Sequence, residues 1–152
     1  MSAHPRLLGL IFCAVAAAGC QTAAKIQPPT AQVAKVELVE QTTQGARLRL
    51  TIAMENPNQV PLPLGASQYT MVLDGDHTFS YTDRPKRTLP AGGQQILELP
   101  AAFETGGREV SGSAYTVTGT VSYRPPGQFR RLLIETGLPL PTVEYSASGT
   151  VQ

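Results

Sequence analysis

From Val33 to the C-terminus, apolar and polar residues alternate with a period of two, as in β-strands that have one buried face. The clearest run is Ala46–Glu55, whose apolar face carries Leu48, Leu50, Ile52 and Met54. Arginine, threonine and glutamate side chains occupy most of the opposite face. This run predicts a half-buried strand, because a helix would repeat its apolar positions every three to four residues.

The same alternation predicts further strands, separated by stretches rich in Gly, Pro, Asn and Asp. Asp74-Gly75 is a strong hairpin signal between two of them, and a helical turn is expected only within Ala101–Ser111. We find no internal repeat and no domain boundary after residue 33. About seven to eight strands therefore predict one all-β domain, a sandwich of two antiparallel sheets. The remaining predicted strands are Val33–Val39, Tyr69–Leu73, His77–Tyr81, Ile96–Leu99, Tyr115–Tyr123, Phe129–Ile134 and Val143–Val151.

The first 20 residues have the layout of a bacterial secretory signal. His4 and Arg6 flank the start of an apolar run, Leu7–Ala18, which is shorter than the roughly 20 residues of a membrane-spanning helix. Small residues lead directly to Cys20, and this ending resembles the lipobox of bacterial lipoproteins, although alanine replaces the usual leucine. We expect residues 1–19 to be cleaved as a signal peptide and Cys20 to carry covalent lipid. The alternative is an ordinary signal peptide that leaves Cys20 as a free thiol.

The expected anchor determines location and domain limits. Bacterial lipoproteins carry more than one acyl chain, which is enough for stable anchoring. Gln21, not Asp, follows the cysteine, so the enteric sorting rule favours the periplasmic face of the outer membrane. Residues 20–31 contain a Pro-Pro pair and no hydrophobic period, and we expect them to form the lipidated cysteine and a flexible tether. The sandwich domain is then residues 32–152.

Composition excludes several classes of protein. Both cysteines lie within the first 20 residues, so the domain has neither a disulfide framework nor a thiolate zinc site. A net charge of +1 argues against a nucleic-acid partner, since such proteins normally carry a basic excess. The 41% apolar and 15% charged residues are typical of a folded domain.

A distinctive motif follows the strand that ends at Glu55. In Asn56-Pro57-Asn58, the proline pushes Asn56 into an extended conformation and ends the strand, while asparagine side chains form turn-like hydrogen bonds. In Leu62-Pro63-Leu64, alternation points the leucines inward and places the proline where no donor is needed, as at a sheet edge. A structural role as strand terminator is favoured over direct binding.

Together these residues resemble the WHy (water stress and hypersensitive response) domain of the late embryogenesis abundant (LEA) type 2 family. The resemblance extends from about Ala31 to Gln152 and includes Tyr69–Gly75 and Leu89–Gly92, in the family's order. It implies an Ig-like or fibronectin-like sandwich without catalytic residues, linked to desiccation tolerance and to protection of other proteins from aggregation. The family's middle region often carries a longer helix, here shortened to about Ala102–Val110.

Candidate sites for chemistry are few. His77 is the single histidine after the signal segment, and Asp74-Gly75-Asp76 lacks the further ligands of a calcium loop, so we predict no metal site. The sequence has neither a Gly-x-Ser-x-Gly elbow nor a phosphate-binding Gly-Lys loop. We therefore expect no enzyme and no cofactor besides the Cys20 lipid. The basic clusters Arg84–Arg87 and Arg130-Arg131 could attract anionic lipid headgroups. Solvated loop charge is the favoured interpretation, because Asp83 and Glu135 lie beside them.

Three functions remain open. The first is a membrane-anchored module that protects client proteins or membranes during water loss. The second is an envelope module that docks a protein partner through its sheet edges or loops. The third, least supported, is binding of an apolar ligand between the sheets.

Overall fold

The computed structural model describes residues 26–152 and is almost entirely β-structure. Three strands form one antiparallel sheet in the order β1-β2-β6, and a larger sheet has the order β4-β3-β7-β8, with the short β5 paired to β3. This architecture confirms the predicted all-β sandwich. The elements are β1 (Thr30–Gln41), β2 (Gly45–Glu55), β3 (Leu62–Leu73), β4 (His77–Asp83), β5 (Thr88–Leu89), β6 (Gln94–Glu104), β7 (Ala114–Tyr123), α1 (Gly127–Thr136) and β8 (Thr142–Thr150).

The core lies between the two sheets and follows the predicted alternation. Leu48, Leu50, Ile52 and Met54 on β2 are fully buried. They belong to one cluster with alternate residues of β3, such as Met71 and Leu73, and of β6, such as Leu97 and Leu99. Because successive side chains of a strand point to opposite faces, each strand contributes every second residue to this single core.

The C-terminus closes one side of the sandwich. The Gln152 backbone N–H donates to the Val36 carbonyl at 3.0 Å, and the Gln152 carbonyl accepts from the Leu38 N–H at 2.9 Å. These bonds link the end of the chain after β8 to β1, the edge strand of the other sheet. They also satisfy backbone groups that an edge strand otherwise leaves open.

One predicted strand is wrong. Phe129–Ile134 lies within the helix α1 rather than in a strand. Pro126 precedes the helix with an extended backbone, and Gly137 ends it in the left-handed conformation at φ 66°. Its amide and that of Leu138 donate to the Ile134 and Leu133 carbonyls, which is a C-terminal helix cap.

The helical turn expected within Ala101–Ser111 is also wrong. Strand β6 continues to Glu104 and pairs with β2 along its whole length, from Gln94 opposite Glu55 to Glu104 opposite Gly45. The chain then turns at Gly106 and Gly107, both of which have positive φ. Pairing with a complete neighbouring strand outweighs the weak local preference of this segment for helix.

The domain begins before the boundary expected at residue 32. Strand β1 starts at Thr30, and Ile26 packs against the core. The signal peptide, Cys13, Cys20 and the first part of the tether lie outside the described residues. Within residues 26–152, the single helix is too short and too polar to span a bilayer.

Candidate functional site

The Asn-Pro-Asn motif forms a buried polar cluster at the end of β2. The Asn56 side chain is fully buried, and its Nδ2 donates to the carbonyls of Val60 at 2.8 Å and Pro90 at 2.9 Å. Its Oδ1 accepts from the Asn58 backbone N–H at 3.0 Å and from the Asn58 Nδ2 at 2.9 Å. One side chain thus holds the β2–β3 loop against the segment between β5 and β6. The Asn56 backbone N–H also donates to the Gly93 carbonyl.

Asn58 connects this cluster to the point where the chain enters the domain. Its Nδ2 donates to the Gln27 carbonyl and its Oδ1 accepts from the Gln27 N–H, both at 2.8 Å. The Asn58 side-chain amide therefore forms two hydrogen bonds with the backbone of Gln27, in the way that a residue of a neighbouring strand would. This pairing fixes the position at which the N-terminal segment leaves the sandwich. Nothing in the sequence alone identified Gln27 as its partner.

The Leu62-Pro63-Leu64 segment is the first part of β3. Leu62 and Leu64 point into the core, as the alternation predicts, whereas Pro63 is only partly buried. Leu62 and Pro63 pair with Leu89 and Thr88 of β5. The Pro63 carbonyl accepts from the Arg124 N–H at 2.8 Å, and the Leu64 N–H donates to the Arg87 carbonyl at 2.9 Å. This segment therefore joins two basic stretches of the chain.

We call this end of the sandwich the entry end. It comprises the chain entry at residues 26–29, the loop at 56–61, the connector at 84–93 and the segment from Arg124 through α1. The hydrogen bonds above link the first three of these and Arg124, and Arg130 of α1 lines the same cleft as Arg124. The opposite end carries the β1–β2 and β3–β4 hairpins. The entry end therefore brings together the Asn-Pro-Asn motif and both basic clusters, which are far apart in sequence.

The outer surface of the larger sheet is rich in hydroxyl groups, and we call it the hydroxyl face. The strand register places these side chains in adjacent rows that cross β4, β3, β7 and β8. Neighbouring hydroxyls within a row can bond to each other, as the Thr70 and Ser80 hydroxyl oxygens do at 2.9 Å. Gln68, Val72 and Glu144 occupy the other positions of these rows, so one carboxylate is the sole charge among them. The hydroxyl face consists of Thr70, Thr78, Ser80, Thr82, Thr116, Thr118, Thr120, Ser146 and Ser148.

The carboxylates of the β3–β4 turn stabilise the turn and its contact with the chain just before β7. Asp74 accepts from the Ser113 hydroxyl at 2.9 Å and from the Ala114 N–H at 3.1 Å. Arg108 lies 3.7 Å from Asp74 and 3.9 Å from Asp76, and His77 Nε2 lies 3.5 Å from Asp76. No group of three or more potential metal ligands occurs among residues 26–152.

Two buried tyrosines of the larger sheet, Tyr69 on β3 and Tyr145 on the edge strand β8, have raised side-chain pKa values. Burial raises the pKa of Tyr69 far above its ordinary value, and its hydroxyl donates to the Pro100 carbonyl. Burial raises the pKa of Tyr145 to about 12, and the neighbouring Ser67 hydroxyl opposes this by a smaller amount. Among residues 26–152, the Tyr145 and Ser67 hydroxyls have no hydrogen-bond partner.

Comparison with known proteins shows which solved structures share this fold. No protein-family model matches the chain, and no curated protein matches it. Its structure is similar to that of a plant LEA protein, with a TM-score of 0.60 and 16% identity over 85% of this chain and 73% of the other. The solution structure of AT1g01470 from Arabidopsis thaliana gives a TM-score of 0.57 and 16% identity, over 84% of this chain and 83% of the other. The fold of this chain is therefore that of LEA/WHy-type domains, as the order of its motifs predicted.

Proposed function

We propose that this protein is a lipid-anchored, non-catalytic LEA/WHy-type module that protects proteins and membrane surfaces of the cell envelope during water loss. The observation that carries the proposal is the fold shared with a plant LEA protein over 85% of the chain. The signal layout and Cys20 support attachment to a membrane, with the periplasmic face of the outer membrane as the favoured location. Client proteins and the bilayer are then its partners, and no cofactor is required beyond the covalent lipid.

The hydroxyl face supplies a physical basis for protection. Each serine or threonine hydroxyl both donates and accepts hydrogen bonds. A surface that is dense in hydroxyls and nearly free of charge can replace part of the hydration of a drying protein without strong ionic attraction. Stable strands hold these hydroxyls in place, so little side-chain ordering is needed when they meet a client.

A drying experiment tests the protective role. A desiccation-sensitive enzyme is dried and rehydrated with the purified protein, or with an inert globular protein at equal mass. We expect the enzyme to retain more activity with this protein. Equal recovery in the two samples would refute protection.

Matched variants test the hydroxyl face itself. Thr70→Val with Thr118→Val removes two hydroxyls from the face while keeping side-chain shape and strand preference. The control is Thr30→Val with Thr88→Val, since both threonines are exposed but lie on β1 and β5. We expect the first pair to reduce protection and the control pair to retain it. Equal protection by the two double variants would remove the hydroxyl face from the mechanism.

A second candidate function is docking of an envelope protein along a sheet edge. Strands β4 and β6 are edge strands of their sheets, and Tyr81 and Ile96 on them are 44% and 47% exposed. An added strand could pair with either edge. Crosslinking in intact envelopes, followed by capture of this protein, should then recover one stoichiometric partner. Recovery of none would count against this function.

A further inference from the structure

We propose that the entry end of the domain lies directly on an anionic bilayer, with α1 in the interface and the surrounding cations on lipid headgroups. The docking surface consists of the apolar residues Phe129, Leu132, Ile134 and Leu138 and the cations Arg84, Lys86, Arg87, Arg124, Arg130 and Arg131. The inference rests on the membrane location in the proposed function but not on protective activity. It gives the domain a fixed orientation and a second membrane contact besides the lipid.

The apolar side chains of this surface are more than half exposed to solvent. Phe129, Leu132, Ile134 and Leu138 are 53%, 52%, 67% and 56% exposed, whereas Leu133 is the one buried residue of α1. Most of the large apolar side chains that the described domain exposes are therefore concentrated on one short helix and its cap. Exposed apolar side chains beside basic residues are typical of helices that lie in a membrane interface.

The charge of the same surface fits anionic lipid. Its arginines and lysine form no ion pair with any carboxylate of residues 26–152. The nearest carboxylates in sequence are Asp83, which accepts from the Arg84 backbone N–H at 2.8 Å, and Glu135 on α1, so the surface keeps a net positive charge. Each basic residue close to an anionic leaflet raises membrane partition about fivefold. An apolar helix without these cations would fit a neutral partner equally well.

The course of the chain places this surface towards the membrane. Gln27 is held by Asn58, Asn58 by Asn56, and Asn56 by the Pro90 carbonyl, so the chain enters beside the basic connector. Between Cys20 and Ile26 an extended chain reaches at most about 20 Å. A lipid at Cys20 thus holds the entry end, rather than the hairpins at the other end, close to the bilayer.

A single tryptophan can report this contact, because the protein contains none. The full-length mature protein is prepared with Phe129→Trp on α1, or with Val39→Trp as control. Val39 is 41% exposed and lies near the opposite end of β1. Each variant is reconstituted into vesicles of phosphatidylcholine alone or mixed with phosphatidylglycerol, with brominated acyl chains as quencher. We expect quenching of Trp at position 129 in the anionic vesicles, and little quenching at position 39.

A charge test separates docking from simple tethering. In the Phe129→Trp background, Arg124→Gln, Arg130→Gln and Arg131→Gln together should weaken docking about a hundredfold at low salt, from about fivefold per charge. Arg47→Gln, Arg49→Gln and Arg108→Gln remove equal charge elsewhere and should leave the quenching unchanged.

Two outcomes would overturn docking. In the first, a lipidated sample shows no quenching of the tryptophan at position 129. This outcome would also be found if a second copy or another protein covered α1 in place of lipid. In the second, quenching is equal at positions 129 and 39. The intact mass of the same sample shows whether Cys20 carries lipid, so a missing anchor is recognised separately from failed docking.

Discussion

At the scale of single residues, Asn56 and Asn58 show how a three-residue motif joins the chain entry, the β2–β3 loop and the segment between β5 and β6. Their side chains saturate backbone groups from three separate segments, and Asn56 does so while fully buried. Buried polar groups without partners are costly, so replacing either asparagine with an apolar residue of similar size should destabilise the fold. The sequence indicated turn-forming asparagines, but their partners at Gln27 and Pro90 are fixed by tertiary structure.

Asn58→Ala tests the tie between the motif and the chain entry. The change removes three side-chain hydrogen bonds, two of them to Gln27, and should lower the free energy of unfolding by about 2 kcal/mol. Hydrogen exchange at the Gln27 amide should accelerate. Gln59→Ala, at an exposed neighbouring position, is the control for urea denaturation and exchange. A loss no larger than that of the control would show that Asn58 does not hold the entry segment.

The raised pKa of Tyr145 predicts how the stability of the fold changes at alkaline pH. The unfolded tyrosine ionises near its ordinary pKa of 10.0, whereas the folded one has a pKa of about 12. Above pH 10 the unfolded state therefore binds fewer protons, and the stability that this group contributes is lost as the pH rises through 12. Tyr145→Phe should make the decline of unfolding free energy between these pH values less steep.

Tyr69→Phe is the control that separates the effect of ionisation at Tyr145 from the effect of losing a hydroxyl group. Tyr145 has no hydrogen-bond partner among residues 26–152, while the Tyr69 hydroxyl donates to the Pro100 carbonyl. Near pH 7, Tyr145→Phe should change the free energy of unfolding little, and Tyr69→Phe should lower it by about 1 kcal/mol. Urea denaturation at several pH values measures both effects. An unchanged alkaline slope in Tyr145→Phe would contradict the assignment.

At the scale of elements, the alternation of apolar and polar residues predicted the long strands and missed α1. Strands such as Ala46–Glu55 and Tyr115–Tyr123 carry enough alternation to specify one buried face, and the structure confirms them within one residue. In Phe129–Ile134 three adjacent apolar residues conceal the period. The residues that decide for helix lie outside that run, at Pro126 and Gly137. Those proline and glycine signals would have identified the helix.

Gly137→Ala tests how firmly α1 is held. At φ 66° alanine is strained by about 1 kcal/mol, and an added Cβ at this position meets no atom within 4 Å. Since Leu133 alone is buried, the helix should open locally, with roughly fivefold faster hydrogen exchange within residues 130–136. Global unfolding should change little. Gly75→Ala places similar strain in the β3–β4 hairpin and should leave the α1 amides unaffected, and accelerated α1 exchange in that control would argue against local opening.

At the scale of the whole molecule, one sandwich separates three surfaces. The hydroxyl face covers the outside of the larger sheet, the entry end carries the basic and apolar side chains, and the hairpins form the opposite end. The sequence predicted the sandwich and both basic clusters, but not their meeting at the entry end. That meeting depends on β3 beginning beside β5 and on the Arg124 amide bonding to Pro63. Such long-range pairing leaves no periodic trace in sequence.

The predicted anchor decides which of these surfaces faces the membrane, and Cys20→Ala tests it. In the native host, the wild-type protein should partition with membranes and have the mass of a chain that begins at Cys20 and carries acyl groups. The Cys20→Ala variant should lack that added mass and leave the membrane fraction once its signal is removed, because the docking surface alone binds reversibly. Intact mass spectrometry and membrane fractionation measure both properties. A wild-type protein without acyl mass would leave the domain as a secreted protectant whose contact with lipid depends on salt, since charge would then provide its main attraction.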